Sequence, residues 1–242
     1  HINKYMKVEF HPSNTRGYAN HGWLEARHSF SFAPWYNPNR IQFGALRVLN
    51  DDIIAPGKGF GTHPHDNMEI ITIPLIGDLE HKDSMGHAEV IREGEIQVMS
   101  AGTGVTHSEY NHHSNRPINL LQLWIFPNRR GVTPRYKQMA IADLTKINEI
   151  SQILSPNKED QGVWIHQDAW FHLLKTDKVV KDTYQMKKTG NGVYIFIIEG
   201  EVTIENELLN KRDAIGVWET EQVTLSAKAN SSLLFIEVPM NF

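Results

Sequence analysis

Two segments of the sequence carry pairs of potential metal ligands. The first pair is His63 and His65, in Gly-Thr-His-Pro-His, and the second is His107 and Glu109, in Val-Thr-His-Ser-Glu. In a β-strand, alternate residues point to the same face, so the members of each pair can aim at one point. If the two strands are neighbours in a small barrel, four donors converge. The sequence therefore predicts one metal ion bound by His63, His65, His107 and Glu109.

The chemistry of these donors limits the metal without selecting it. The chain contains no cysteine, which excludes disulfides, thiolate metal sites and cysteine nucleophiles. Any metal is therefore held by nitrogen and oxygen. Imidazole and carboxylate donors suit Fe, Mn, Co, Ni, Cu and Zn alike.

The remaining histidines lack this paired spacing. One His-x-His pair is common by chance, but two ligand pairs, each after a glycine-rich segment, favour a metal site over isolated surface residues. The sequence places four other histidines in charged or polar loops, which predicts that they are solvent-exposed: His81, His87, His112 and His113.

The hydrophobic pattern is that of short strands. Runs rich in Ile, Val, Leu and aromatic residues recur, bounded by turn-forming residues such as Asn50-Asp51-Asp52 and Pro56-Gly57. The segment 141–154 could be a short helix followed by a strand, and its pattern does not decide this. A weak repeat relates 73–80 to 196–203, which suggests two copies of one β unit split near residue 140. We therefore expect an all-β sandwich or barrel.

Composition excludes several classes of protein. The 242 residues include 28 acidic and 24 basic side chains, for a formal charge of -4, with no block of like charge. This gives no electrostatic attraction to nucleic acid or to an anionic membrane. The sequence shows no apolar run long enough for a membrane helix and no signal-peptide pattern, so we expect a cytoplasmic protein. We expect a monomer by default.

Several longer motifs resemble the pirin family. The likeness covers about residues 10–140 with specific motifs and then thins to similarity of fold. The motifs that carry it are Arg16–Trp23, His28–Phe32, Gly44–Asp51, His63–Glu69, Leu79–Ser84 and Met99–Glu109.

The resemblance implies an architecture and a ligand set. Pirins are bicupins, in which two jelly-roll β-barrels pack together and the N-terminal one holds the metal. This implies a metal-bearing cupin barrel over residues 1–140 and a cupin barrel without metal ligands over 141–242. The family's three histidines and one glutamate fall on His63, His65, His107 and Glu109. Ser100 stands where the general cupin pattern usually has proline, a departure that is itself typical of pirins.

The resemblance also implies a function. Several pirins are quercetin 2,3-dioxygenases, so a flavonol-like aromatic substrate, O2 and one divalent metal, expected to be Fe(II), follow from it. Glu109 would then act as the base that accepts a substrate proton, and Phe60 would stack on the substrate or belong to the core. The alternative is a metal-binding sensor or regulatory protein without a dedicated catalytic role.

Overall fold

The structure, a computed structural model, describes residues 5–242. The first half of the chain forms twelve strands and one 3-10 helix of three residues, Ser13–Thr15. The strands are β1 (Lys7–His11), β2 (Gly17–Asn20), β3 (Leu24–His28), β4 (Leu46–Ile54), β5 (Gly59–His65), β6 (Glu69–Ile76), β7 (Leu79–Asp83), β8 (Ala88–Ile91), β9 (Glu95–Ser100), β10 (Val105–Asn111), β11 (Ile118–Ile125) and β12 (Arg135–Ala140).

The second half repeats this plan with ten strands. A second 3-10 helix, Ile141–Asp143, precedes them. The strands are β13 (Ser151–Ser155), β14 (Val163–Trp164), β15 (Trp170–Lys175), β16 (Val180–Gln185), β17 (Asn191–Glu199), β18 (Val202–Ile204), β19 (Glu207–Leu209), β20 (Ala214–Trp218), β21 (Gln222–Ala227) and β22 (Ser232–Pro239).

Each half contributes a seven-stranded and a four-stranded sheet. In the first half the orders are β12-β9-β6-β11-β4-β3-β2 and β5-β10-β7-β8. The strands of the second half, joined by β1 from the first, form the orders β1-β20-β17-β22-β15-β13-β14 and β16-β21-β18-β19. A large sheet facing a small one in each half is the arrangement of a jelly-roll barrel. The predicted all-β fold of two cupin barrels is confirmed.

The two large sheets pack against each other. Their shared core contains Leu49, Ile71 and Leu123 from the first half and Phe171 and Ile236 from the second. Alternate residues of the same strands face the barrel interiors. The interior of the second barrel is filled by a large apolar cluster, whereas the first barrel holds two smaller clusters, which leaves room between them.

The pairing of β1 departs from a simple division at residue 140. This strand comes first in the chain, yet it pairs with β20 at the edge of the second half's large sheet. At the other edge of the fold, β12 pairs with β9 in the first half. The division of the chain into two barrels at residue 140 stays a prediction. Strand β1 does not follow this division, because it lies before residue 140 and pairs with the second barrel.

The turn predicted at Asn50-Asp51-Asp52 is wrong. These residues lie in the middle of β4, where they pair with both β3 and β11. Their polar side chains are tolerated because tertiary partners satisfy two of them: Asn50 bonds to His28, and Asp51 bonds to Arg212. Local composition alone does not reveal such partners.

Two other expectations can be compared with the structure. The segment 141–154 forms the single turn Ile141–Asp143 and then β13, which matches the helix-then-strand alternative. The predicted repeat places Gly77 after β6 and Gly200 after β17, with φ of 81° and 89° in corresponding turns. No helix within residues 5–242 is long and apolar enough to cross a membrane.

Candidate metal centre

Three imidazoles converge inside the first barrel. Strands β5 and β10 are antiparallel neighbours, and His107 lies directly opposite His63. One ring nitrogen from each of His63, His65 and His107 lies within 4.8 Å of the others. Among the described residues, this is the only group of three histidine, cysteine or acidic side chains close enough to share an ion. The structure therefore brings together three of the four residues selected from the sequence.

The hydrogen bonds of these rings leave nitrogens available for a metal. Nδ1 of His63 lies 2.7 Å from the carbonyl oxygen of Gly61. Because a carbonyl only accepts, Nδ1 must carry the proton, which leaves a lone pair on Nε2. His107 is 2% exposed, and neither of its nitrogens has a hydrogen-bond partner. A buried imidazole without a partner is costly, so the cluster fits a bound cation.

Burial keeps His65 and His107 neutral. Desolvation, followed by the neighbouring His107 and His63 rings, lowers the pKa of His65 to about 4. Desolvation, followed by His63 and His81, lowers the pKa of His107 to about 3. Both rings are therefore unprotonated at neutral pH, which is the form that coordinates a metal.

Glu109 stands at the edge of the imidazole cluster. The register of β10 shifts between His107 and Glu109, and an oxygen of Glu109 lies 3.6 Å from Nε2 of His107. Its carboxylate does not belong to the group within 4.8 Å. The Nε2 amide of Gln122 donates to both carboxylate oxygens, at 3.1 and 3.3 Å, and Gln122 in turn accepts from Trp124 at 3.2 Å. A fixed carboxylate thus adjoins the imidazoles.

The prediction that His81 is solvent-exposed is wrong. It is 1% exposed, because β7 pairs with β10 and carries its ring to within 5.5 Å of the His107 ring. Nε2 of His81 donates to Asp83 at 2.6 Å, and Nδ1 accepts from Gln97 at 3.1 Å. Both nitrogens are therefore occupied, which explains why a buried histidine beside the cluster is not a ligand. His87, which is partly exposed, also bonds to Asp83.

Sequence reasoning missed a row of polar residues under the cluster. His28, Asn50, Gln122, Thr72 and Gln97 lie opposite one another on five neighbouring strands of the large sheet. Two of them form hydrogen bonds to residues of the site: Gln122 bonds to Glu109, and Gln97 bonds to His81. A sequence signal existed, since several are single polar residues inside apolar runs. Their alignment, however, depends on strand register.

A cavity of about 340 Å³ adjoins this row. Its wall includes the aromatic rings of Trp23, Phe32 and Phe60, and its polar lining includes Asn50 and Asp52. Phe60 lies opposite Glu109 in the β5–β10 ladder and packs edge-on against Trp23, with ring centroids 5.3 Å apart. The residue expected to contact substrate therefore lines a cavity next to Glu109. Its contact with substrate stays a prediction.

Comparisons with known proteins agree with this geometry. Residues 9–125 match the Pirin family model, and residues 152–238 match the model of the quercetinase C-terminal cupin domain. The chain is 42% identical over 230 residues to quercetin 2,3-dioxygenase of Escherichia coli K12, covering 94% of this chain and 96% of that protein. The chain belongs to the pirin family.

The chain is also similar to a further bacterial relative and to solved structures. A pirin-like protein of Caulobacter vibrioides is 34% identical over 231 residues, covering 95% of this chain and 99% of that protein. The crystal structure of YhhW from E. coli superposes with a TM-score of 0.92 at 40% identity, covering 98% of this chain and 100% of that chain. A crystal structure of the bacterial pirin YhhW in complex with nickel(II) gives 0.91 at 40% identity, with 96% and 99% covered.

Proposed function

We propose that this pirin is a metal-dependent dioxygenase of the quercetin 2,3-dioxygenase type, which cleaves a flavonol ring with O2. The observation that carries the proposal is the cluster of three imidazoles beside Glu109 and an aromatic-walled cavity. Relatives that bear the name quercetin 2,3-dioxygenase support the reaction class. Cupins perform many reactions, so the activity needs its own test.

His63, His65, His107 and Glu109 would hold one divalent metal. Such an ion, when bound, stabilises the deprotonated oxygen of a flavonol 3-hydroxyl and favours its oxidation by O2. We expect Fe(II), although nickel(II) occupies a relative's crystal structure and suits the same donors. The structure supports a divalent metal through its donor set, and that set does not distinguish these ions.

The chain's own residues would orient substrate and move a proton. Glu109 is the candidate base, because its carboxylate lies 3.6 Å from Nε2 of His107 and its backbone is opposite Phe60, which lines the cavity. Gln122 holds that carboxylate through two hydrogen bonds and so limits its rotation. The aromatic wall around Phe60 would exclude water and place the substrate near Glu109, which lowers the barrier by positioning rather than by covalent catalysis.

Reconstitution with single metals tests the proposal. Metal-free protein is loaded without O2 with Fe(II), Mn(II), Co(II), Ni(II), Cu(II) or Zn(II), and quercetin absorbance is followed after air is admitted. We expect turnover with at least one metal and its loss on adding a chelator. His107→Ala should lose both metal and turnover, whereas His112→Ala, an exposed histidine outside the cluster, should keep both.

The outcomes separate the two functions considered from the sequence. Stoichiometric metal without turnover by any of the six metals would reject the enzyme and leave the metal-dependent sensor. Turnover that survives both the chelator and His107→Ala would reject the proposed centre. Elemental analysis of the protein as purified identifies the metal that it acquires in the cell.

A further inference from the structure

Asp52 faces the cavity of the first barrel, away from its acidic neighbour. In a strand, adjacent side chains point to opposite faces. Asp51 accordingly reaches the second half of the chain, where it pairs with Arg212 at 2.8 Å. Asp52 points the other way, lines the cavity and is only 5% exposed. The two carboxyl groups therefore lie in different environments, although Asp51 and Asp52 are adjacent in the sequence.

The side chain of Asp52 lacks the partners expected for a buried acid. Its Oδ1 is fully buried and has no hydrogen-bond partner. Desolvation, followed by the charges of Asp51 and Glu109, raises the pKa of Asp52 to about 8. An unpartnered buried polar group lowers stability, typically by about 1–3 kcal/mol. A buried, unpartnered acid with a perturbed pKa in the wall of a cavity is a candidate for ligand contact.

The rest of the cavity fits a planar aromatic ligand. Trp23, Phe32 and Phe60 supply three rings, and Leu24 and Ala26 supply aliphatic surface. Its volume of about 340 Å³ lies at the lower end of the range for small-molecule sites, roughly 300–1,000 Å³. An apolar pocket with a few convergent polar groups binds the apolar body of a ligand and fixes its orientation through those groups.

Two residues that line the cavity are paired across strands with Glu109 and with its partner Gln122. Phe60 is opposite Glu109 across the β5–β10 ladder, and Asn50 is opposite Gln122 across the β4–β11 ladder. The cavity that Asp52 lines therefore adjoins the strand segment opposite Glu109.

We propose that Asp52 is a specificity-determining residue that forms a hydrogen bond with a hydroxyl group on the ligand's aromatic ring. The cavity then selects phenolic rings over rings that carry no hydroxyl. The inference rests on the proposed function only where it takes this ligand to be the substrate. A carboxyl group serves either as donor or as acceptor to a phenolic hydroxyl, so the contact forms in both protonation states.

Equilibrium dialysis of the metal-loaded protein without O2 tests this inference. The probes are 2-naphthol and naphthalene, which differ by one hydroxyl and lack the hydroxy-ketone unit that chelates metals. We expect the wild type to prefer 2-naphthol, and Asp52→Leu, which has nearly the same shape, to lower 2-naphthol affinity about tenfold with little change for naphthalene. Asp52→Asn keeps hydrogen-bonding atoms and should restore most of the preference.

Controls separate ligand recognition from a structural role. Asp182→Leu, at an exposed acid of β16 in the second barrel, should leave the preference unchanged. Asp52→Leu should unfold at a denaturant concentration no lower than the wild type, since it removes an unpartnered buried carboxyl. If Asp52→Leu does not fold, Asp52→Ala provides the same comparison of the two probes.

The results also separate this inference from the proposed reaction. No preference for 2-naphthol in the wild type, or an undiminished preference in Asp52→Leu, would overturn the role of Asp52. A preference that depends on Asp52 in a protein that fails to turn over quercetin with any metal would retain the phenol site and reject the flavonol dioxygenase.

Discussion

At the scale of single residues, the hydrogen bonds of a buried histidine decide whether it can be a ligand. His81 and His107 are neighbours and are both almost fully buried. The nitrogens of His81 are occupied by Asp83 and Gln97, whereas those of His107 have no partner. Burial of unpartnered nitrogens lowers stability unless another group meets them, and a bound cation would do so. The His81–Asp83 pair instead fixes the wall against which His107 packs.

Glu109→Gln separates metal binding from proton transfer. The amide keeps the size of the side chain and one metal-ligating oxygen but cannot accept a proton as a base. We expect turnover of quercetin to fall at least about 100-fold, in line with the loss of a general base, while most of the metal stays bound. Steady-state rates and elemental analysis on the same sample check this. Glu80→Gln, at a half-buried acid of β7 that pairs with His112 outside the cluster, is the matched control, and equal rates in both variants would remove Glu109 as the base.

At the scale of elements, the close approach of β5 and β10 builds the site. Gly59 begins β5 and pairs with Tyr110 of β10, close to the backbone of Glu109. A Cβ atom at Gly59 would overlap the carbonyl oxygen of Glu109 and lie 2.5 Å from Cα of Tyr110. Gly61, two residues along the same strand, would place its Cβ 3.7 Å from the nearest atom, the Tyr110 hydroxyl. Only the first position requires glycine for reasons of space.

Gly59→Ala should therefore separate the two strands and Gly61→Ala should not. We expect Gly59→Ala to lower the free energy of unfolding by about 1–3 kcal/mol, the usual cost of overpacking, and to reduce metal occupancy by displacing Glu109. Denaturant unfolding and metal stoichiometry measure the two effects. Wild-type values for both in Gly59→Ala would show that the ladder accommodates the methyl group without moving the site.

What could be predicted from the sequence follows from how local each feature is. The convergence of His63 with His65 depends only on the alternation of side chains along one strand, so the two residue types and their spacing predict it. The burial of His81 and the alignment of Gln97 with Thr72 depend on which strands pair and in what register, which no short segment encodes. The family resemblance supplied the bicupin architecture, and the polar row was found only in the folded chain.

At the scale of the whole molecule, the two barrels share a plan but differ in what fills them. Tyr184 and Phe235 stack inside the second barrel within a continuous apolar cluster. In the first barrel, the polar row and the imidazoles occupy the corresponding interior. The second barrel also provides an apolar face against which the sheet under the metal centre packs. This asymmetry suits one barrel to chemistry and the other to support.

Strand β1 contacts the second barrel through a buried histidine, His11. Nδ1 of His11 lies 2.9 Å from the hydroxyl of Tyr194 in β17, and the His11 ring is 4% exposed. Desolvation, followed by the charge of Arg40, lowers the pKa of His11 to about 4, although Glu9 acts in the opposite direction. Neutral His11 is therefore the form that the folded junction accommodates.

This depressed pKa predicts a loss of stability in acid. Below pH 6.5 the unfolded chain takes up a proton at His11 that the folded chain does not take up until about pH 4, so stability falls across that window. The slope for one proton is about 1.4 kcal/mol per pH unit. His11→Gln keeps a partner for Tyr194 without titrating, and it should flatten the pH dependence of stability by up to this amount.

Denaturant unfolding at pH 7, 6 and 5 measures this pH dependence, with a chelator present so that the metal ligands titrate alike in both proteins. His112→Gln, at an exposed histidine, should retain the wild-type slope; equal slopes in wild type and His11→Gln would show that the junction tolerates protonated His11.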